Sequence, residues 1–188
     1  MASFIIMTIF YLDCNLKGLY EGTGGSKDWK VVGKLCFFIS TEKKNYAWTY
    51  AYKEMCLKKY GANFVTISSL KEQMVIESEI HRVWGKIKEE KPEYRETYDK
   101  KFKTVFFGAQ RTDPFMFDKW KWVDGSEVKW TNWENDNEKN EKNMGMCAAL
   151  ALQDDDSYKW KTVSCNNTNI QAMYMCAINA SFGKILKS

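Results

Sequence analysis

The sequence is poor in groups that make chemistry. It has one histidine, His81, and none of its six cysteines stands in a Cys-x-x-Cys pair, so no Cys/His zinc set can be assembled. No nucleophile stands beside a base, and no glycine loop of the phosphate-cradling kind is present. The usual starting points for an enzyme are therefore missing. There is no internal repeat. Long apolar runs are absent too: 4–12 (FIIMTIFYL) is too short to cross a bilayer as a helix. This run also lacks the basic flank and small-residue cleavage site of a signal peptide. It reads as a degenerate signal, a truncated start or a strand of the fold. Charge of a single sign is scarce, with 28 basic residues against 24 acidic and a net +4. Mixed charges, with aromatics at strand or core spacing, do not make a nucleic-acid-binding face.

What is present describes a globular domain. The 188 residues are 45% hydrophobic and 15% aromatic, enough for one domain with a substantial core. Six cysteines, Cys14, Cys36, Cys56, Cys147, Cys165 and Cys176, are even in number and widely spaced, which fits disulfides in an oxidising compartment. Sequons at Asn166 (Asn166-Asn167-Thr168) and Asn179 (Asn179-Ala180-Ser181) agree. The expected location is extracellular, as a secreted glycoprotein with no membrane span.

The organising stretch is 120–147. Trp120, Trp122, Trp130 and Trp133 alternate around the turn Asp124-Gly125-Ser126, the pattern of an aromatic hairpin. At this spacing the tryptophans read as core and cross-strand packing, not as a sugar-stacking platform. The tract 134–143 is almost free of apolar residues, so it reads as a long exposed loop on a rigid scaffold.

Upstream, 22–26 (GTGGS) is a linker signature, and two short strands flank a Gly33-Lys34 turn. Trp48, Ala51, Tyr52, Met55 and Cys56 predict a helix over 45–59, capped by Asn45 and stopped at Gly61. A strand is expected over 63–68. A second helix starts at the Ser69–Glu72 capping box, with an apolar stripe of Met74, Ile76, Ile80, Val83, Trp84 and Ile87. His81 on that helix reads as a boundary residue. The charged stretch 91–103 reads as a surface insertion. Strands follow at 104–110, where Gly108 signals close packing or a bulge, and at 146–152, 158–165 and 172–178. The turn Asp154-Asp155-Asp156 separates two of them and reads as solvated carboxylates.

This ordered series resembles the C-type lectin-like domain over roughly Trp29 to Ile178. The matching pieces are Asp28-Trp29, Cys36-Phe37-Phe38, Ala51 to Cys56, Gly61 to Ile67, Phe106-Phe107-Gly108-Ala109, the organising stretch, Trp160 to Cys165, and Cys176. The resemblance implies an α+β fold with two helices, two small antiparallel sheets and a long polar loop. The domain would span 28–179, after an N-terminal segment 1–27 and before a tail 180–188. It also implies disulfides Cys56–Cys176 and Cys147–Cys165, with Cys14–Cys36 as the bridge of the family's long form.

The function implied is recognition, not catalysis: binding of a glycan or protein ligand through the long loop. Candidate contacts are Asn135, Asn137, Glu138, Asn140, Glu141 and Asn143. Sugar-binding members hold calcium through a Glu-Pro-Asn motif, a glutamate before the third-region cysteine, and an Asn-Asp pair after the last tryptophan. Here those places fall on Asn137-Glu138-Lys139, Gly145 and Lys161-Thr162. Ca²⁺ needs about six to eight oxygen ligands, and ammonium groups repel it. The expectation is therefore no calcium cofactor and no metal site. The alternative is a calcium-dependent lectin using the slipped triplet Glu138-Lys139-Asn140, which repeats as Glu141-Lys142-Asn143. That triplet lacks the proline whose cis form the family uses, and a non-proline residue pays about 3 kcal/mol for it.

Overall fold

The computed structural model describes residues 12–13, 29–42, 44–111, 113, 119–134, 146–179 and 181–182. The elements run β1 (Leu12–Asp13), β2 (Lys30–Val32), β3 (Leu35–Ile39), α1 (Trp48–Tyr50, continued by a π-helix Ala51–Lys59) and β4 (Asn63–Phe64). Next come α2 (Leu70–Glu90), a 3₁₀ turn Pro92–Tyr94, α3 (Arg95–Phe102), β5 (Thr104–Arg111) and β6 (Trp120–Trp122). The chain closes with β7 (Cys147–Leu152), β8 (Tyr158–Val163), β9 (Met173–Asn179) and β10 (Ser181–Phe182).

Period-two alternation splits the sheet's side chains into two cores. On β9, Met173, Met175 and Ala177 join the core that also holds Ile76, Ile80 and Trp84 of α2. Tyr174 and Cys176 face the other side, with Trp48, Ala51 and Met55 of α1. β5 divides in the same way, Val105 and Phe107 against Phe106. The sheet is therefore buried on both faces, which explains the nearly unbroken apolar runs of β5, β7 and β9.

The sheet differs from two separate antiparallel ones. Its strands follow the order β2-β3-β9-β5-β7-β8, with β4 on β9 and β6 on β5, while β1 pairs with β10 in a separate two-stranded sheet. β5 and β9 are parallel through Val105↔Met173 and Phe106↔Tyr174. β9, paired on both edges, joins what the sequence presents as separate groups. β1 and β10 lie within the expected leader and tail, joined through Leu12↔Phe182 and Asp13↔Ser181.

The first helix starts at Trp48 with Ala47 as N-cap and no side-chain cap bond. Asn45 does not cap it; its Oδ1 is buried without a hydrogen bond. The chain before it is held elsewhere, with the Tyr46 hydroxyl donating to Glu42 Oε2 at 3.0 Å. Gly61, at φ 58°, ends the helix. The second helix is capped by Ser69, which accepts from the Glu72 N–H at 3.2 Å. Glu72 reaches one residue beyond the expected box, accepting from the Ser68 N–H at 2.7 Å. Its stripe holds Ile76, Ile80, Trp84 and Ile87 as expected, but Met74 is 60% exposed and Gln73 takes the inward place.

Residues 91–103 are not a bare surface insertion. α3 seats Phe102 against Trp84, with stacked rings 5.3 Å apart, and buries Lys101. Only Asn63–Phe64 of the expected 63–68 strand forms β ladder. Two disulfides, Cys56–Cys176 and Cys147–Cys165, join Cα atoms 5.4 and 5.3 Å apart. Cys36 is also disulfide-bonded; Cys14, its expected partner, lies outside the described residues.

Candidate functional site

The region expected to bind begins at the aromatic hairpin. β6 turns through Asp124 and Gly125, whose φ is 88°, and the Asp124 carboxylate accepts from the Ser126 N–H at 2.9 Å. The returning arm makes a single bridge, Lys121↔Glu127, and then leaves the ladder. Trp120 and Trp122 are fully inside, while Trp130 and Trp133 pack half-buried on the same core. Trp160 is the hub: Phe107 lies 4.7 Å, Trp133 5.3 Å and Trp130 5.6 Å from it, centroid to centroid. The tryptophans thus build the scaffold, as their spacing suggests, and the hub is a residue that the alternation argument passes over.

A buried polar network fixes that hub. Trp160 Nε1 donates to Gln73 Oε1 at 2.9 Å, and Gln73 Nε2 donates to the Tyr158 carbonyl at 2.8 Å and to Glu77 Oε1 at 2.6 Å. A fully satisfied buried network of this kind fixes one arrangement. Gln73 is not among the residues of the expected stripe; only its capacity to donate and accept at once could have signalled it.

Two backbone bonds then pin the outgoing chain to β8: Trp160 N–H to the Asn132 carbonyl at 2.8 Å, and Glu134 N–H to the Trp160 carbonyl at 2.9 Å. Lys159 Nζ adds a bond to Asn132 Oδ1 at 2.8 Å. The returning chain is held where the Arg111 N–H meets the Met146 carbonyl at 2.7 Å, and Cys147 is bridged to Cys165. Arg111 is buried with its guanidinium 5.2 Å from the Trp120 ring. Both feet of 135–145 are therefore rigid. The candidate contacts Asn135, Asn137, Glu138, Asn140, Glu141 and Asn143 lie outside the described residues, as does Gly145.

Directly after Trp160 stands Lys161. Its Nζ donates to Thr104 Oγ1 at 3.1 Å. Burial lowers its pKa from the usual lysine value, against the upward pull of the Glu134 carboxylate. Thr162 is buried. An ammonium and a buried hydroxyl do not fit a calcium ion at this place. The 154–156 turn is exposed, and Asp155 is occupied by the N–H and hydroxyl of Ser157, at 3.1 and 2.6 Å. No group of three or more His, Cys, Asp or Glu able to hold a metal occurs among the described residues.

His81 is a boundary residue, its Nε2 3.1 Å from the Asp156 carbonyl and its ring 5.3 Å from Phe102. Asn166 and Asn179 are both exposed; Asn166 Oδ1 accepts from Thr49 Oγ1 at 2.8 Å. No helix among the described residues is long and apolar enough to cross a membrane.

The family model for the lectin C-type domain matches residues 42–177, which takes in α1, α2, the disulfides Cys56–Cys176 and Cys147–Cys165 and the pinned hairpin. The chain belongs to the C-type lectin domain family. Among solved structures, human lithostathine is 19% identical with TM-score 0.58, over 80% of this chain and 88% of that one. A calcium-independent type II antifreeze protein is 21% identical with TM-score 0.54, over 81% and 92%. A Ca²⁺-independent C-type lectin from Saxidomus purpuratus is 22% identical with TM-score 0.54, over 84% and 94%. Comparison with curated proteins gives no match. At these identities the C-type lectin likeness speaks for the fold, and the chemistry rests on this chain's own residues.

Proposed function

We propose that this C-type lectin domain is an extracellular recognition module that binds a glycan or protein ligand through 135–143 without calcium. The observation that carries the reading is Lys161. It sits where sugar-binding members place a calcium ligand, beside the foot of the loop, and its cation is already turned to Thr104 Oγ1. Lys139 and Gly145 remove further oxygen donors from the same set. The antifreeze protein and the Saxidomus purpuratus lectin are both described as calcium-independent, so the fold is compatible with such a site. Two disulfides fit an oxidising, extracellular setting, and exposed Asn166 and Asn179 fit glycosylation there. Recognition is preferred to catalysis because His81, the sole histidine, faces a backbone carbonyl and aromatic rings among the described residues.

Calcium titration of the oxidised domain, read as heat and as melting temperature with and without chelator, tests this. A ligand bound only by the folded state must raise its stability. The expected outcome is no heat and no shift at millimolar calcium. A rise in melting temperature at submillimolar calcium, reversed by chelator, would sink the proposal and favour the Glu138-Lys139-Asn140 loop as a metal site.

A further inference from the structure

Apart from the polar tract, the described residues carry a surface whose composition calls for a partner. It lies between β2 and the first half of α2. Leu70, Met74 and Val75 are 55%, 60% and 41% exposed, and Val31 on β2 is 39% exposed. Together they are four of the six large hydrophobics that the described residues leave exposed. Positions 70, 71, 74, 75 and 78 recur at helical spacing on one stripe, so the apolar residues form a face and are not scattered. Isolated exposed apolar residues need no explanation, but a contiguous patch does. A groove of about 470 Å³ runs along the patch, lined by Val31, Met74 and Val75, with Lys30 and Lys71 among its borders. None of its lining residues belongs to the segment 119–146.

The strand beside the groove offers backbone as well. Among the described residues β2 is the end strand of the sheet and pairs only with β3. Val32↔Leu35 closes the two-residue Gly33-Lys34 turn, so that pair exchanges hydrogen bonds inward. In an antiparallel ladder the next pair does not. Val31 therefore turns its N–H and C=O to the free edge, as a template for another strand.

Charge selects the occupant. Glu79, the one acidic residue of the lining, is ion-paired with Arg82 at 2.7 Å, while Glu72 and Glu77 turn to Ser68 and Gln73 and lie outside the lining. Lys30 and Lys71 have no acidic partner among the described residues. The groove is thus an apolar floor with a cationic border. A second copy of this chain would set lysine against lysine across the contact, which is unfavourable.

We propose that the β2–α2 groove is a docking site for an extended segment of a partner protein. The segment adds a strand to the free edge of β2, inserts apolar side chains against Met74 and Val75, and presents carboxylates to Lys30 and Lys71. Strand addition of this kind takes affinity from the main chain and specificity from alternate side chains. The proposal does not depend on the calcium-free reading of the loop.

The test is nuclear magnetic resonance titration of the oxidised chain with two synthetic, blocked six-residue peptides. Both carry valine and leucine at alternating positions. One has glutamates between and at its ends; the other has lysines there. The acidic peptide is expected to shift the signals of Val31, Lys71, Met74 and Val75 saturably, with affinity falling as salt rises. The lysine peptide is expected to leave them unmoved. Lys71→Glu and Met74→Asp, both at exposed positions, should each weaken acidic-peptide binding roughly tenfold or more without changing the melting temperature. The proposal is overturned if the acidic peptide gives no shifts at millimolar concentration, or if both peptides bind alike. Concentration-dependent self-association that Met74→Asp abolishes would also overturn it, by making a second copy the occupant.

Discussion

An ammonium group that loses its water must find acceptors, and Lys101 finds backbone carbonyls. It is 2% exposed, and its Nζ donates to the Glu42 and Lys44 carbonyls, both at 2.7 Å. Burial pushes its pKa down to about 8, while the Glu42 charge pulls upward. In the unfolded chain the group titrates near its ordinary value, so between about pH 8 and 10 the unfolded state binds the extra proton. Stability should therefore rise with pH in that window, by at most about 1.4 kcal/mol per unit. Tyr46 limits the window from above. Burial, reinforced by its bond to Glu42, pushes its phenol up to about 12, so its contribution is lost as pH climbs from about 10 toward 12. Melting temperature against pH for the parent and Lys101→Met checks this. The parent should gain stability from pH 8 to 10. The variant should start lower, having orphaned the carbonyls, and show a smaller gain, since Lys161, whose pKa burial also lowers, remains.

At the scale of elements, the close approach of β5 to the segment after β4 is set by one residue. A Cβ added at Gly108 would lie 3.0 Å from the Val65 carbonyl and 3.3 Å from Phe64 Cβ. The Gly108 N–H also donates to that carbonyl at 2.8 Å. Backbone cannot step aside as a side-chain tip can, so Gly108→Ala should cost about 1–3 kcal/mol, measured by denaturant unfolding. Gly108 was legible because a glycine within an apolar strand has few other uses. The Ser69 cap was legible because capping is local chemistry. α3 was not, since its charged face masks a single apolar anchor, Phe102, whose partner Trp84 lies on another helix. Met74 was misread as core for the converse reason. Its spacing fits the stripe, and only the sheet's outer edge, a tertiary fact, leaves that turn of α2 uncovered. The later start of α1, at Trp48, also escaped, because Glu42, not Asn45, organises the chain before it.

For the whole molecule, the ordered cysteines and aromatics made the fold legible, since core periodicity and family order report the same packing. The candidate site was legible only at its feet. A polar tract has no period, and Trp133, Glu134 and Met146 mark where it is held without specifying what it holds. The disulfides should carry unequal weight. In the chain-entropy model the bridge spanning 120 residues contributes about 5 kcal/mol and the one spanning 18 about 3. Replacing Cys56 and Cys176 together by alanine should therefore destabilise more than replacing Cys147 and Cys165, as read from the shift in urea midpoint.

β9 adds a temporal consequence. Residues 173–179 pair with β3, β4 and β5 and carry one end of the long-range disulfide, yet they leave the ribosome after every strand they join. Until they emerge, β3 and β5 are not joined through β9 and Cys56 lacks its native partner, Cys176. The growing chain must hold two apolar half-cores unjoined until β9 is made, and it becomes a domain when its central strand arrives.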